Sequence, residues 1–454
     1  MNKIRVNTDT EITQEVIEYV INEHKEEKAR VEKLNNYYKG KNDILDRVYD
    51  DPKKPQNKLS NPYATYITNM AVGYFLGNPI TYKYNDDSLE ETLSQVLKYN
   101  DENDINTTLA KQASIQGYAV ELLYADEEAN VRFKPIPANE IALVFDNTLE
   151  ENLLFVVRYY TETNIETQQD YTVVEVYDKE KISYYDMQGS TVQFKGEVPH
   201  YFNDVPCVIY NNNDEMLGDF ERVLSLIDAY DKTQSDSAND FEYFTDCMLV
   251  VSGYVLAEDD AESISNKRTI NFSDSTGKAE YLIKNIQDTA LENYKNRLDN
   301  DIHKFSQIPN LSDENFSNNA SGVALQFKLM GIENITSVKE SKFKKGILRR
   351  LELLCNYYRI KTNKNLNYLD AEPIFTRTKP RNDLEIAQMM QTLTGILSEE
   401  TILSLSPFVT DVKAEMERKE EESNNQYPDN YSNFNNEKEN DEEDEKKLGD
   451  EDVS

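Results

Sequence analysis

The spacing of apolar residues changes several times along the chain, and each change predicts a different kind of element. Between residues 11 and 48 apolar residues recur every three or four positions, which predicts helices separated by a charged turn. Residues 57–86 predict a helix followed by a strand, and residues 104–117 another helix. From Tyr118 to about Asn213 apolar and polar residues alternate, so an antiparallel sheet is expected there. The first half of the chain is therefore predicted to form an α+β body.

A stretch without Gly or Pro follows, from residue 219 to residue 252. As one helix it would be about 50 Å long. Its centre, "DKTQSDSAND", is almost entirely polar, and a helix without an apolar stripe is not held by burial against its own chain. We therefore expect this helix to cross solvent or to pack against other copies through polar contacts. A break near Ser235 is the alternative.

Residues 253–287 contain short strand-like runs and predict a compact insert. A second helix is expected over residues 288–306, because its apolar residues step by three and four along one face. These apolar residues are Leu291, Tyr294, Leu298, Ile302 and Phe305. Two helices that flank a small insert predict a stalk with a knob at its end.

The last third of the chain contains a polar interruption in front of a long helix. "SNNASG", which ends at Gly322, is small and uncharged, and residues 323–360 predict one long helix with Gly331 and Gly346 as candidate kinks. Shorter helices broken at Pro407 are expected over residues 383–421. The following residues are rich in Asn, Glu and Asp, a composition typical of disordered segments.

The net charge of the chain limits the classes of partner that it is expected to bind. It has 84 acidic and 49 basic residues and a net charge of −35. The segment from Glu420 onward holds 14 acids and 3 lysines, so the remainder is still acidic, with a net charge of −24. Ordinary nucleic-acid binding needs clustered Lys and Arg residues, so this net charge argues against it. The negative charge also disfavours binding to anionic membranes. An acidic wall past which DNA slides without adhering remains compatible with this charge.

No catalytic, cofactor or metal site is predicted. The sequence lacks phosphate-binding glycine loops and the usual hydrolase and zinc motifs. Its longest apolar runs fall far short of a membrane span, and its first residues lack the apolar core of a signal peptide. Three cysteines are expected to be free thiols in a reducing cytosol and three histidines to be isolated packing or surface residues. These are Cys207, Cys247 and Cys355, and His24, His200 and His303.

Two stretches of the sequence resemble a known family. "NKLSNPYATYITNMAVGYFLGNPITY" (57–82) and "FSQIPNLSDENFSNNASGVALQFKLMGIENITSVKESKF" (305–343) are similar to the signature stretches of tailed-bacteriophage portal proteins. The branch they resemble occurs in long-tailed phages and prophages of Gram-positive bacteria. The order of elements agrees over about residues 10–420.

The resemblance implies a portal fold, with an α+β wing, a two-helix stem, a small β-containing clip and a helical crown, assembled as a ring. Placed on this sequence, the regions are the wing (10–218 and 323–378), the stem helices (219–252 and 288–309), the clip (253–287), the tunnel loop (310–322) and the crown (381–421). The acidic tail, residues 423–454, lies outside the family pattern and is expected to be disordered.

The function implied is a DNA channel without catalysis or cofactors. Portals form rings, usually of twelve copies, at one capsid vertex of the virion, and serve genome packaging, retention and ejection. The implied partners are further copies of the chain, the terminase large subunit, scaffold and major capsid proteins, a head-completion adaptor and double-stranded DNA bound without sequence specificity. No membrane is involved, and assembly is expected in the bacterial host cytoplasm. A monomeric acidic scaffold or adaptor, or a metal-dependent nuclease, are the alternatives.

The resemblance also implies which residues touch DNA. Small amide and hydroxyl side chains in the tunnel loop would contact phosphate briefly without holding it, and two acids would weaken adhesion further. The predicted loop residues are Asn310, Asp313, Glu314, Asn315, Ser317, Asn318, Asn319, Ser321 and Gly322. Basic residues expected to serve the channel or the contacts between subunits are Lys295, Arg297, Lys304, Lys344, Lys345 and Arg349.

Overall fold

A computed structural model describes most of the chain as two compact units, residues 1–378 and 379–454. The described residues are 3–51, 54–189, 191–245, 248–252, 277–282, 288–311, 322–378, 383–406, 409 and 412–426. Their helices are α1 (Gln14–Tyr38), α2 (Tyr63–Leu76), α3 (Asp87–Tyr99), α4 (Glu102–Gln116), α5 (Leu224–Thr245), α6 (Asp288–Ser306), α7 (Gly322–Thr362), α8 (Asp383–Leu393), α9 (Glu399–Ser404) and α10 (Val412–Gln426).

Strands dominate the region where alternation predicted them. The strands are β1 (Ile4–Val6), β2 (Thr81–Tyr84), β3 (Tyr118–Ala125), β4 (Val131–Ile136), β5 (Ile141–Asp146), β6 (Leu153–Asn164), β7 (Gln169–Tyr177), β8 (Lys181–Gln188), β9 (Thr191–Pro199), β10 (Cys207–Asn211), β11 (Met248–Ser252), β12 (Lys278–Leu282) and β13 (Ala371–Ile374). They form a six-stranded sheet in the order β1-β5-β6-β7-β8-β9, a three-stranded sheet β10-β3-β4 and two ribbons, β11-β12 and β13-β2. The α+β class predicted from the sequence is confirmed.

Helix α1 packs on the six-stranded sheet. Ile17, Val20 and Ile21 are buried there against strand residues such as Val144. The predicted charged turn within this region is wrong, because α1 runs without interruption for 25 residues. Polar side chains at the expected turn are buried partners instead, with Nδ1 of His24 2.8 Å from the Tyr159 hydroxyl.

Helix α7 is the longest element and confirms the helix predicted over residues 323–360. Its apolar face, including Phe343, Ile347 and Leu351, is buried in a core shared with α3, α4 and β3. A Cβ atom on Gly346 would lie 2.4 Å from the ring of Tyr210. This glycine therefore allows close packing of α7 on β10.

Arg350 is fully buried in this core beside Glu121 of β3, which is also fully buried. Nε and Nη2 of Arg350 donate to the two carboxylate oxygens of Glu121, each over 2.8 Å. Nη1 donates to Glu102 at 3.1 Å and to Asn106 at 2.9 Å. The Tyr210 hydroxyl donates to Glu121 at 2.9 Å. The buried charges are thus paired, and their remaining hydrogen-bonding groups have partners, as low-dielectric surroundings require.

Helix α5 ends earlier than predicted. The predicted helix over 219–252 is wrong at its end, because residues 248–252 are strand β11, which pairs antiparallel with β12. The helix does run without a break through Ser235, so the alternative of a break there is also wrong.

The polar centre of α5 is buried against its own chain, which the sequence analysis did not foresee. Asp231 accepts hydrogen bonds from Asn42 Nδ2 at 2.6 Å and from the backbone N–H of Asn61 at 2.8 Å. Ser235 Oγ accepts from the backbone N–H of Leu59 at 2.9 Å. Asp231 and Ser235 have no exposed surface. Hydrogen bonding to the segment 42–61 thus replaces the missing apolar stripe.

The second unit holds α8, α9 and α10. Gly395, at a φ of +86°, lies between α8 and α9, a conformation that glycine adopts without steric cost. Ser398 caps α9 by accepting from the Thr401 backbone N–H at 3.3 Å, and Lys419 of α10 pairs with Glu399 of α9. Short helices are therefore confirmed here, whereas Pro407 and residues 427–454 lie outside the described part of the chain.

Replacing Arg350 tests the buried ion pair. We expect Arg350→Met to lower the free energy of unfolding by about 3–5 kcal/mol, because Glu121 would be left charged and buried without its main partner. Arg349→Met, at the adjacent half-exposed pair with Asp204, should cost about 1 kcal/mol or less. Urea denaturation of both variants measures the difference. An equal loss of unfolding free energy in the two variants would show that the buried Arg350 pair contributes no more to stability than the Arg349 pair.

The buried His24 predicts a pH-dependent stability. Burial, with help from Lys28, lowers the pKa of His24 from 6.5 to about 4. Below pH 6.5 the unfolded chain therefore binds a proton that the folded chain refuses until about pH 4, so stability falls as pH falls through this window. Between pH 7 and pH 5 the native chain should lose about 2 kcal/mol more unfolding free energy than His24→Asn. Urea titrations measure the unfolding free energy at each pH. If that energy changes with pH equally in the native chain and in His24→Asn, the lowered pKa of His24 is contradicted.

Candidate channel loop

The predicted tunnel loop is described at its two ends only. Asn310 and Leu311 follow α6, and Gly322 begins α7. The other predicted loop residues lie outside the described residues: Asp313, Glu314, Asn315, Ser317, Asn318, Asn319 and Ser321. The structure therefore informs on how the loop is anchored.

One tyrosine hydroxyl of α2 holds the backbone where the loop begins. The Tyr66 hydroxyl donates to the carbonyl oxygen of Pro309 at 2.8 Å and accepts from the backbone N–H of Leu311 at 3.2 Å. A hydroxyl has a single proton to donate, and here that proton and one lone pair fix the peptide groups on both sides of Asn310. Tyr66 is thus a positioning residue for the loop.

Asp299 of α6 is the second anchor. Its Oδ1 accepts from the Tyr63 hydroxyl at 2.6 Å and its Oδ2 accepts from Nδ2 of Asn310 at 3.1 Å. Burial, and then the hydrogen bond to Asp299, raise the pKa of Tyr63 well above its ordinary value. The Tyr63 hydroxyl therefore stays protonated and remains a donor to Asp299 throughout the neutral range.

His303, one helical turn after Asp299, completes this anchor. Its Nδ1 is 3.1 Å from the carbonyl oxygen of Ile308, and its Nε2 is 3.6 Å from Asp299 Oδ1. Its ring meets the Tyr66 ring edge to face, with the centroids 5.5 Å apart. The sequence predicted an isolated His303, but its ring lies beside Tyr66 of α2, Asp299 of the same helix and the Ile308 carbonyl just after that helix.

A cavity of about 460 Å³ opens beside these anchors. Three tyrosines line it, and the rings of Tyr63 and Tyr230 meet edge to face at 5.2 Å. Asp299, His303, the amide side chains of Asn296 and Asn310, and residues 61–62 complete the lining. This cluster, called here the tyrosine pocket, combines aromatic surface with one carboxylate.

The first turns of α7 pass close to the end of α6. A Cβ atom on Gly331 would be 3.0 Å from the carbonyl oxygen of Gln307, so this glycine serves close packing within an uninterrupted helix. Ile332 is fully buried in the adjoining core. Phe327, Met330 and Val338 are instead 68%, 51% and 43% exposed. Their spacing places these three apolar side chains on one stripe of α7.

The predicted basic residues are divided between two settings. On α7, Lys344 pairs with Glu372 at 3.3 Å and Arg349 with Asp204 at 2.8 Å, whereas Lys345 is exposed. On α6, Lys295 pairs with Glu292, Arg297 reaches Asp301 only at 3.6 Å, and Lys304 is exposed. Much of the α7 basic face is therefore engaged by acids of its own chain.

Buried Lys339 illustrates what sequence reasoning missed on this face. Its Nζ donates to Asp219 and to the Ser114 hydroxyl, each at 2.6 Å. These partners are more than one hundred residues away along the chain, so no local spacing marks them. The only sequence signal was an unusually basic run on a helix in an acidic chain.

No metal site or membrane span is seen in the described part of the chain. No group of three or more His, Cys, Asp or Glu residues there is placed to hold a metal ion. Likewise, none of the described helices is both long and apolar enough to cross a membrane. Cys207 and Cys355 are buried free thiols, as predicted, and Cys247 lies outside the described residues.

Comparison with known proteins gives a consistent result. The family model for "Phage portal protein, SPP1 Gp6-like" matches residues 17–429. The portal protein of Bacillus phage SPP1 is 29% identical over 457 residues, which covers 93% of this chain and 90% of that protein. The portal protein of Clostridium phage phiCD119 is 27% identical over 457 residues, covering 92% of this chain and 99% of that protein.

These matches place the chain among the structural proteins of phage virions. It belongs to the phage portal protein family, in the SPP1 Gp6-like group. Its function is that of a portal, the channel at the capsid vertex through which DNA is packaged. The family predicted from the stretches 57–82 and 305–343 is thereby confirmed.

Removing the Tyr66 hydroxyl should loosen the start of the loop while the fold is kept. A lost hydrogen bond of this kind costs about 0.5–1.5 kcal/mol, so Tyr66→Phe should speed amide exchange at Leu311 by up to about tenfold. Hydrogen–deuterium exchange read by mass spectrometry measures this directly. Tyr38→Phe, which removes an exposed bond to Asn69, is the matched control. Equal exchange at Leu311 in both variants would disprove the anchoring role of Tyr66.

Proposed function

We propose that copies of this chain close into a ring whose central hole is the DNA channel, with twelve copies as in most portals. The observation that best supports the ring is a set of exposed apolar side chains on α5, α6 and α7. Exposed apolar side chains that lie close together mark a surface that a partner covers. A closed ring covers the same surface on every copy. The side chains are Phe241, Tyr294, Phe305, Phe327, Met330 and Val338.

In this ring the helices α5 and α6 form the stem. The first stem helix, α5, is shorter than expected, because residues 248–252 form β11, which pairs with β12. We therefore move the start of the clip, expected over residues 253–287, to residue 248. The wing comprises residues 10–218 and 323–378, and α8 to α10 form the crown.

We assign residues 310–322 to the tunnel loop that meets DNA. Small amides and hydroxyls make brief contacts with phosphate, whereas clustered Lys and Arg would bind it tightly. A loop that is pushed by moving DNA needs a firm anchor, and the bonds from Tyr66 and Asp299 supply one at Pro309 and Asn310. A firmly held start combined with weak contacts to phosphate suits a channel that must release DNA continually.

The chemistry of a portal implies the remaining partners. We propose that the clip docks the terminase large subunit during packaging and a head-completion adaptor afterwards. The wing and crown would face the scaffold and major capsid proteins, with assembly in the cytoplasm of the bacterial host. DNA is bound without sequence specificity, because the proposed contacts go to phosphate rather than to base edges.

A charge change in the loop tests both the ring and the loop. Asn318→Lys combined with Asn319→Lys should leave ring formation intact, because neither residue is among the proposed contacts between subunits. It should slow DNA passage, because added positive charge holds phosphate. Native mass spectrometry measures the ring, and the yield of DNA-filled capsids in an infected host measures passage. Asn318→Gln with Asn319→Gln keeps the side chains neutral and is the control.

Two outcomes would count against different parts of the proposal. Rings that package DNA normally with two added lysines would refute the loop assignment alone. A native protein that stays monomeric even with its scaffold protein present would refute the ring and favour an adaptor.

A further inference from the structure

Helix α6 presents two chemically different flanks on either side of its packed face. Leu298 and Ile302 are buried and define the packed face. At about 100° per residue, Asp299 and His303 lie to one side of it. Tyr294, Arg297 and Phe305 lie on the other. Further round on that second side is Lys304.

The first flank belongs to the tyrosine pocket. Asp299 and His303 line the cavity together with the rings of Tyr63, Tyr66 and Tyr230. Tyrosine faces and a carboxylate together attract a cation, above all a planar guanidinium that stacks on rings and bonds to carboxylate oxygens. Within the described residues, none of the residues that line this cavity is Lys or Arg.

The second flank carries the matching chemistry. The Arg297 side chain is 79% exposed, and its one ion pair among the described residues is with Asp301, at 3.6 Å. Tyr294 and Phe305 beside it are 50% and 55% exposed. Tyrosine, phenylalanine and arginine are the residues enriched in protein interfaces, so this flank has the composition of a contact surface.

Ring symmetry brings these two flanks together. In a ring, each contact joins one face of a subunit to a different face of the next, identical subunit. Rotation about the ring axis does not change the position of an atom along that axis. The cations of the second flank, Arg297 and Lys304, lie within residues 297–304. The residues of α6 that line the tyrosine pocket lie within residues 296–303. Neighbouring copies therefore present the two flanks at the same height.

We propose that the Arg297 flank of α6 in one copy packs on the tyrosine pocket of the next copy, with the Arg297 guanidinium received between the tyrosine rings and Asp299. This inference rests on the proposed ring and names one of its contacts. It makes the neighbouring subunit part of the loop anchor, because Asp299 also holds Asn310. Ring closure would thus complete the support of every tunnel loop.

Charge reversal tests the contact energetically. Arg297→Glu should raise the protein concentration at which half of the subunits are in rings by about tenfold or more, which corresponds to about 1.4 kcal/mol. Lys364→Glu makes the same change of charge on an exposed loop after α7 and should shift this midpoint by less than about twofold. Mass photometry across a dilution series gives both midpoints. A shift of the same size in both variants would contradict the proposal.

Photo-crosslinking tests the geometry without relying on that variant. A benzophenone amino acid at position 297 should crosslink neighbouring copies, with the attachment mapped to residues 61–66, Tyr230 or 296–310. The same group at Asn300, also exposed on α6 but between the two flanks, should not crosslink to those residues. Rings whose position-297 crosslinks map elsewhere would overturn this contact and leave the proposed function standing. The absence of any ring would overturn both.

Discussion

The architecture of this portal subunit depends on one buried ion pair, between Arg350 of the long helix and Glu121 of strand β3. Both charges are out of water, so each must be neutralised by the other and by the surrounding polar groups. That requirement fixes α7 along and about its own axis on the three-stranded sheet. Because α7 begins at Gly322, where the proposed tunnel loop ends, this pair also holds the helix to which the end of that loop is joined.

The same principle recurs at two other carboxylates. Asp231 anchors the polar middle of α5 to the segment 42–61, and Asp299 anchors Asn310 at the start of the proposed tunnel loop. In both places a carboxylate accepts amide or hydroxyl hydrogen bonds from distant parts of the chain. Part of the strong acidity of this protein therefore has a structural use, because some of its acids are internal hydrogen-bond acceptors.

Much of the local structure could be predicted from the sequence, because it depends on periodicity. The alternation after Tyr118 produced strands, and the apolar stripe through Ile347 and Leu351 produced a long helix. Prediction failed where polar residues found distant partners: His24 inside α1 meets Tyr159, and Asp231 inside α5 meets Asn42 and Asn61. It also failed for β1, since three residues are too few to show a period, and for β11, whose strand character depends on pairing with β12.

The sequence by itself determined the class of fold, the helical and strand content of most segments, and the family, because two long stretches carry enough specific residues to identify it. It also determined the strong negative net charge of the chain. Only the tertiary structure decided which charges are internal and which are available, because an ion pair such as Lys339–Asp219 joins residues far apart in the chain. The anchors at the start of the proposed tunnel loop were decided at the same level, because Tyr66 and Asp299 reach residues 309–311 only once the chain has folded.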